Sequence, residues 1–123
     1  MKKSLLLTLI GFTIWSCSNN DDNTNISFLG NWNWISSSGG IAGITETPES
    51  TGDERKIEIT TDSLKGYING SLNFKSKITI ETNEPREVIV LENGFRIIVD
   101  FNDNNLLLID ECVDCFISEY SKE

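Results

Sequence analysis

From residue 28 onward, apolar and polar side chains alternate in short runs. Phe28, Gly30, Trp32 and Trp34 fall on one face of an extended segment, and Leu29, Asn31, Asn33 and Ile35 on the other. A period of two predicts a β-strand. The pattern returns at Arg55–Thr61, where Ile57 and Ile59 share a face, and at Leu64–Ile68. Ser71–Glu81 is the longest run, with Leu72, Phe74, Ile78 and Ile80 on one face. Arg86–Glu92 follows, then Phe95–Phe101 (Phe95, Ile97, Val99 and Phe101 together), Leu106–Asp110 and Cys115–Ser121. Asn69-Gly70 and Asn93-Gly94 read as tight hairpins, because both residue types tolerate positive φ. Polar breaks at Thr61–Ser63, Asn83–Pro85 and Asn102–Asn105 supply further turns. Eight strands in sequence order with such short connections predict an all-β antiparallel meander. Closing it into an up-and-down barrel removes its exposed edges. One connection is different. Ser36–Asp53 holds four glycines and a proline and reads as a long irregular loop, a kind of segment that is often functional.

The first 25 residues follow another pattern. Met1-Lys2-Lys3-Ser4 precedes an apolar run from Leu5 to Trp15, then Ser16-Cys17. A basic start, a short apolar core and a small residue before the cut form a secretory signal. The run falls short of the roughly 20 residues that span a bilayer. Ile14-Trp15-Ser16-Cys17 resembles a bacterial lipobox, in which the cysteine is acylated and becomes the new N-terminus; Trp15 departs from the small or aliphatic residue usual there. Ser18–Asn25 is wholly polar, as expected of a disordered tether. Its Asp21 and Asp22 resemble the acidic surface-export signal of Bacteroidetes lipoproteins; a bland polar linker explains the same residues. The expected organisation is a lipoprotein signal peptide over 1–16, lipidated Cys17 with its tether over 17–25, and a barrel domain over 26–123. Membrane attachment through the N-terminal lipid, in the outer membrane and in some cases at the cell surface, follows from that reading.

Charge narrows the partners. The 123 residues carry 10 Lys+Arg against 19 Asp+Glu, a net −9. Loss of Lys2 and Lys3 with the signal leaves 8 against 19, or −11. Such a balance repels nucleic-acid phosphates, so no nucleic-acid partner is expected. The chain has no histidine, which removes the commonest general base and metal ligand. With no nucleophile motif either, the expectation is a monomeric binding protein without catalytic residues, cofactor or metal.

Gly30-Asn31-Trp32 matches the Gly-x-Trp signature of the first lipocalin strand. Residues 28–121 resemble a lipocalin-like domain of the kind found in Bacteroidetes surface lipoproteins. Leu29-Gly30-Asn31-Trp32-Asn33-Trp34 before a glycine-rich loop, and Asp110-Glu111-Cys112 before a terminal aromatic strand, are similar to those lipoproteins in particular. The resemblance implies that Trp32 plugs the closed end of an eight-stranded barrel, with Gly30 beside it. It also implies that the long first loop covers the open end, and that a small hydrophobic ligand or a partner binds there. Two lipocalin features are weak. No Thr-Asp-Tyr-like loop is visible, and Lys122 is the only candidate for the basic residue that covers the Trp from the last strand.

Candidate ligand-binding residues are Trp34, Ile41, Tyr67, Phe74 and Phe101, centred on the loop over 37–53; a packed core would use the same aromatics. Cys112-Val113-Asp114-Cys115 admits a disulfide only if it forms a hairpin turn, since residues three apart in an extended strand lie about 10 Å apart. Free thiols are the alternative. Asp100, Asn102, Asn104 and Glu111 have EF-hand spacing, but Asn105 stands where glycine is required and the flanks are strand-like. Asp62-Ser63-Leu64 resembles a Bacteroidetes O-glycosylation acceptor on a turn.

Overall fold

The computed structural model describes residues 28–83 and 85–123. The expected signal peptide and tether, Cys17 included, lie outside the described residues. Nine strands and one helical turn follow in order: β1 (Gly30–Gly39), β2 (Ile44–Glu46), α1 (Pro48–Thr51), β3 (Arg55–Ile59), β4 (Ser63–Ile68), β5 (Ser71–Asn83), β6 (Arg86–Leu91), β7 (Arg96–Asn102), β8 (Asn105–Asp110) and β9 (Phe116–Lys122). From β3 to β9 each strand pairs antiparallel with the next, β1 pairs with β3, and β9 returns to β1 between Trp32↔Lys122 and Gly39↔Phe116. The result is a closed, eight-stranded, up-and-down barrel of lipocalin-like architecture, with β2 as a short ninth strand against the end of β1.

The turns follow local chemistry. Asn69 and Gly70 both take positive φ (51° and 87°) in a two-residue hairpin between Ile68 and Ser71. Asn93-Gly94 belongs to a longer connection than expected. Leu91 N–H donates to Phe95 O and Gly94 N–H to Leu91 O, so the loop has an extra residue, with Gly94 at φ 93°. Asp103, at φ 57°, turns β7 into β8.

The expected irregular loop over 36–53 is ordered instead. β1 runs on to Gly39 and folds back as β2, and Thr47–Gly52 forms a capped helical turn. Thr47 Oγ1 accepts from Ser50 N–H (3.1 Å), and Ser50 Oγ accepts from Thr47 N–H (2.9 Å), a reciprocal cap written into Thr-Pro-Glu-Ser. A Cβ on Gly39 would lie 2.9 Å from Phe116 Cα and run into the Cys115 carbonyl, so glycine lets this hairpin pass close to the start of β9.

Two bulges set which side chains face inward. In β1 the pairing with β9 slips between Trp34 and Ser36. Beyond that point Ser37, not Ser36, is buried. In β5 the pairing with β4 slips between Phe74 and Leu72. Leu72 therefore leaves the face it was expected to share with Phe74, Ile78 and Ile80, and it is 55% exposed opposite Tyr67. β5 also turns a corner: Ser71–Lys77 pairs with β4, and Ile78–Asn83 with β6. Ser76 Oγ accepts from Glu92 N–H, and Lys77 N–H donates to Glu92 Oε1, which latches the two halves at the corner.

The core occupies the barrel from its Trp32 end upward. Trp32, Ile57, Ile59, Leu64, Ile78, Ile89, Leu91, Ile97, Val99, Leu106 and Leu108 form one buried cluster, capped below by Phe28. Most alternate along their strands, as a barrel interior requires.

Candidate functional site

The two ends of the barrel differ. At the closed end Trp32 is buried and its Nε1–H donates to Phe28 O (2.9 Å). Lys122 crosses from β9 with Nζ 4.7 Å from the Trp32 ring centre and donates to Leu29 O (3.1 Å). A Cβ at Gly30 would occupy the space of the Lys122 ammonium, which accounts for the glycine two residues before the tryptophan. Phe101 packs tilted on Trp32, with centroids 6.4 Å apart.

At the other end the interior is hollow. A cavity of about 300 Å³ opens between β3, β4, the first half of β5, the end of β6, β7, β8 and β9. Barrel closure divides its wall in two. The arc β8–β9–β1–β3 brings most of the polar groups: Arg55, Lys56, Asp110, Ser118 and Tyr120 line the cavity from it, beside Ile57 and Leu108. The arc β4–β7 is mainly apolar and presents Leu64, Phe74, Leu91, Phe95 and Ile97, with Tyr67 and Asn73 as its polar members. Ligand pockets commonly combine an apolar lining with a few convergent polar groups.

The polar arc is organised around Arg55 and Trp34. The Arg55 guanidinium lies 4.1 Å above the Trp34 ring, a cation–π stack. Its Nη1 and Nη2 face Glu46 Oε1 (3.9 Å) and Asp53 Oδ2 (3.5 Å) at the rim. Its Nε is buried and has no hydrogen-bond partner among the described residues. Beneath it, Trp34 Nε1–H donates to Ser37 Oγ (2.8 Å), and Ser37 Oγ meets Ser118 Oγ (2.7 Å). Burial pushes the Tyr120 hydroxyl up to about 12, partly offset by its hydrogen bond to Ser118 and by Arg55, so it is a neutral phenol at pH 7. Burial also raises Asp110, against the backbone N–H of Phe116 that it accepts.

The expected ligand residues divide. Phe74 and Tyr67 line the cavity, Tyr67 at a margin it shares with the polar outer groove beside Lys56 and Asn69. Phe101 does not line it: the β7 alternation carries it to the closed end, against Trp32. Ile41 does not either. It sits 91% exposed at the tip of the β1–β2 hairpin, because the segment folded on itself rather than over the barrel. Trp34 lies under Arg55 and supports the polar arc from behind. No motif marks Arg55, Asp110, Ser118 or Tyr120 as a site residue, although the alternation contains the signal. Arg55 has the parity of Ile57 and Ile59, and Asp110 that of Leu106 and Leu108, so each is a charge on an inward face.

Cys112 and Cys115 are joined by a disulfide across the β8–β9 turn, with Cα atoms 5.6 Å apart. The EF-hand-like carboxylates separate: Asp100 pairs with Arg86 (3.3 Å) and Glu111 with Arg96 (2.7 Å). Among the described residues no group of His, Cys, Asp or Glu gathers for a metal. Ser63 lies at the start of β4 next to the Thr60–Asp62 turn, where its Oγ meets Thr60 Oγ1 (2.8 Å). Compared with models of protein families, with curated proteins and with solved structures, the chain finds no significant match.

Proposed function

We propose that this protein is an extracytoplasmic lipoprotein, held at the outer membrane by an acylated Cys17, whose barrel binds a small hydrophobic ligand at its open end. The observation that carries the ligand reading is the hollow of about 300 Å³ above a core that is packed at the Trp32 end. A barrel of eight strands is just wide enough to be filled by side chains or to hold one small ligand, and this one leaves space. The anchor reading rests on the basic, apolar and Ser16-Cys17 pattern of the first 17 residues. Binding rather than catalysis fits a histidine-free chain, and its acidic balance turns nucleic acid away.

A second reading draws support from the rim. Ile41, Ile44 and Val113 are exposed on the β1–β2 hairpin and the disulfide turn, as an interaction module meeting an envelope protein or glycan would have them. Titration with a fluorescent naphthalene probe separates the two. Binding with a change in Trp34 emission, lost when Phe74→Arg puts charge at the cavity wall, supports the cavity; no binding favours the rim. For the anchor, Cys17→Ala expressed in a bacterium should leave the membrane fraction, and its retention there would refute lipidation.

A further inference from the structure

We propose that a ligand enters the hollow sideways, through a notch in the barrel wall between the first half of β5 and the β6–β7 turn, with Phe74 and Phe95 as its two gateposts. The inference rests on the ligand-binding reading above and specifies the route of access. Three observations carry it.

First, the wall is incomplete there. Ser71–Lys77 pairs with β4, and β5 gains β6 only from Ile78↔Leu91 onward. β6 ends at Leu91, and the chain then turns toward β7. Ser71–Ser76 therefore has no strand on its β6 side. Asn73 and Phe74 line the hollow from one side of this gap, and Phe95 and Ile97 from the other.

Second, the gap is where the apolar lining meets solvent. Ile57, Leu64, Leu91, Ile97 and Leu108 are buried, and Ile68 is half-buried. Phe74, by contrast, is 41% exposed and Phe95 39%. Both rings line the hollow and reach water as well. An apolar ligand passing between them trades one apolar contact for another, so its desolvation begins at the entrance.

Third, the gap is fastened only at its base. Glu92 N–H donates to Ser76 Oγ (3.3 Å), and Lys77 N–H donates to Glu92 Oε1 (3.2 Å). Above Ser76 no backbone hydrogen bond among the described residues crosses it. The rim over β3 and β4 is tied instead. Asn69 N–H donates to Glu54 O (2.7 Å), and the Asn69 side chain accepts from Glu54 N–H (2.9 Å) and donates to Asp53 Oδ1 (3.1 Å). Widening the notch thus breaks few bonds, and the exposed rings turn on a fast timescale.

The test follows the neutral probe N-phenyl-1-naphthylamine onto the full chain by stopped-flow fluorescence. Ser76→Ala and Glu92→Ala each remove a fastening, and neither residue lines the hollow. A gate opens in free and liganded protein alike. Each variant should therefore raise the association and dissociation rates together, by about fivefold, the scale of one net hydrogen bond, with Kd unchanged. Phe95→Trp, which fills the notch, should slow both rates. Asn69→Gly keeps the left-handed backbone of its turn, removes the side-chain ties of the rim, and should leave both rates as they are. Near-UV circular dichroism checks that each variant is folded. Faster exchange in Asn69→Gly, with none in Ser76→Ala or Glu92→Ala, would move the entrance to the rim and overturn the notch. A change confined to dissociation, with Kd following it, would make these residues part of the binding wall and would also overturn it. If the probe binds at rates that no variant moves, the notch falls and the ligand-binding reading stands. If the unaltered chain takes up no probe, both fall.

Discussion

Lys122 is exposed, yet truncating it should cost more than an ordinary surface substitution. Its ammonium lies over the Trp32 ring at 4.7 Å and donates to Leu29 O at 3.1 Å. A cation–π contact is worth about 0.5–1 kcal/mol at an exposed site. A net hydrogen bond adds about 0.5–1.5 kcal/mol. Lys122→Met keeps most of the stem over the indole and loses both, so we expect a destabilisation of about 1–2 kcal/mol. In a domain of this size that corresponds to roughly 4–15 °C in Tm. Gly30 provides the internal control. A side chain there meets the Lys122 ammonium, and the backbone sits at φ 125°. Gly30→Ala should therefore cost about 1–3 kcal/mol for the strained backbone, plus whatever the displaced lysine contributed. In a Lys122→Met background only the first cost remains, so the two changes should be sub-additive by about 0.5–1 kcal/mol, within the range seen for touching residues. Urea unfolding of the four chains, followed by tryptophan fluorescence, measures the cycle; equal m-values would show that only stability has moved. A loss below about 0.5 kcal/mol for Lys122→Met, typical of surface substitutions, would refute the closed-end account. Strict additivity with Gly30→Ala would refute the claim that the glycine makes room for the lysine.

Two further predictions concern the open end. Tyr120 is raised from 10.0 to about 12, so the fold favours the neutral phenol. That stability is fully present below pH 10, declines as the pH rises through 10 to about 12, and totals about 2–3 kcal/mol. In a Tyr67→Phe variant the remaining phenolate absorbance should appear with a midpoint near 12 while the barrel stays folded, and a midpoint near 10 would show Tyr120 to be solvated. The Cys112–Cys115 bridge closes a loop of only four residues. Loop entropy then assigns it about 2 kcal/mol. Cys112→Ser with Cys115→Ser should lower stability in urea by that amount and leave the barrel folded; unfolding at ambient temperature would mean the turn does more than tie two strands.

Much of the barrel could be read from residue order alone, since a strand's two-residue period and the turn chemistry of Asn-Gly are local properties. The eight expected runs correspond to β1 and β3–β9. Gly30 and Trp32 were legible for the same reason, because their signature is three residues long. The errors fall where pairing, not sequence, decides. Nothing in Ile35 or Asn73 announces a bulge, yet each slip inverts the inward–outward parity of the residues on one side of it. Ser37 is thereby brought inside and Leu72 sent out. Phe101 is aromatic and on the inward face of β7, but depth along the barrel, set by strand stagger, sent it to Trp32 and not to the cavity. The reciprocal cap of Thr47 and Ser50 was available in Thr-Pro-Glu-Ser and was hidden by the glycines around it.

The candidate site belongs almost wholly to the tertiary structure. Arg55 and Tyr120 lie 65 positions apart in the chain. They meet on one wall only because β9 closes onto β1 and β1 carries Trp34 between them. By itself the sequence determined an acidic, histidine-free, all-β chain with a basic-apolar start, strands of alternating polarity and a Gly-x-Trp opening. Those follow from composition and from interactions a few residues apart. Which inward residues fill the barrel, which bound a hollow, and which charged nitrogen is left without a partner depend on closure, stagger and bulges, and these are long-range properties of the folded barrel.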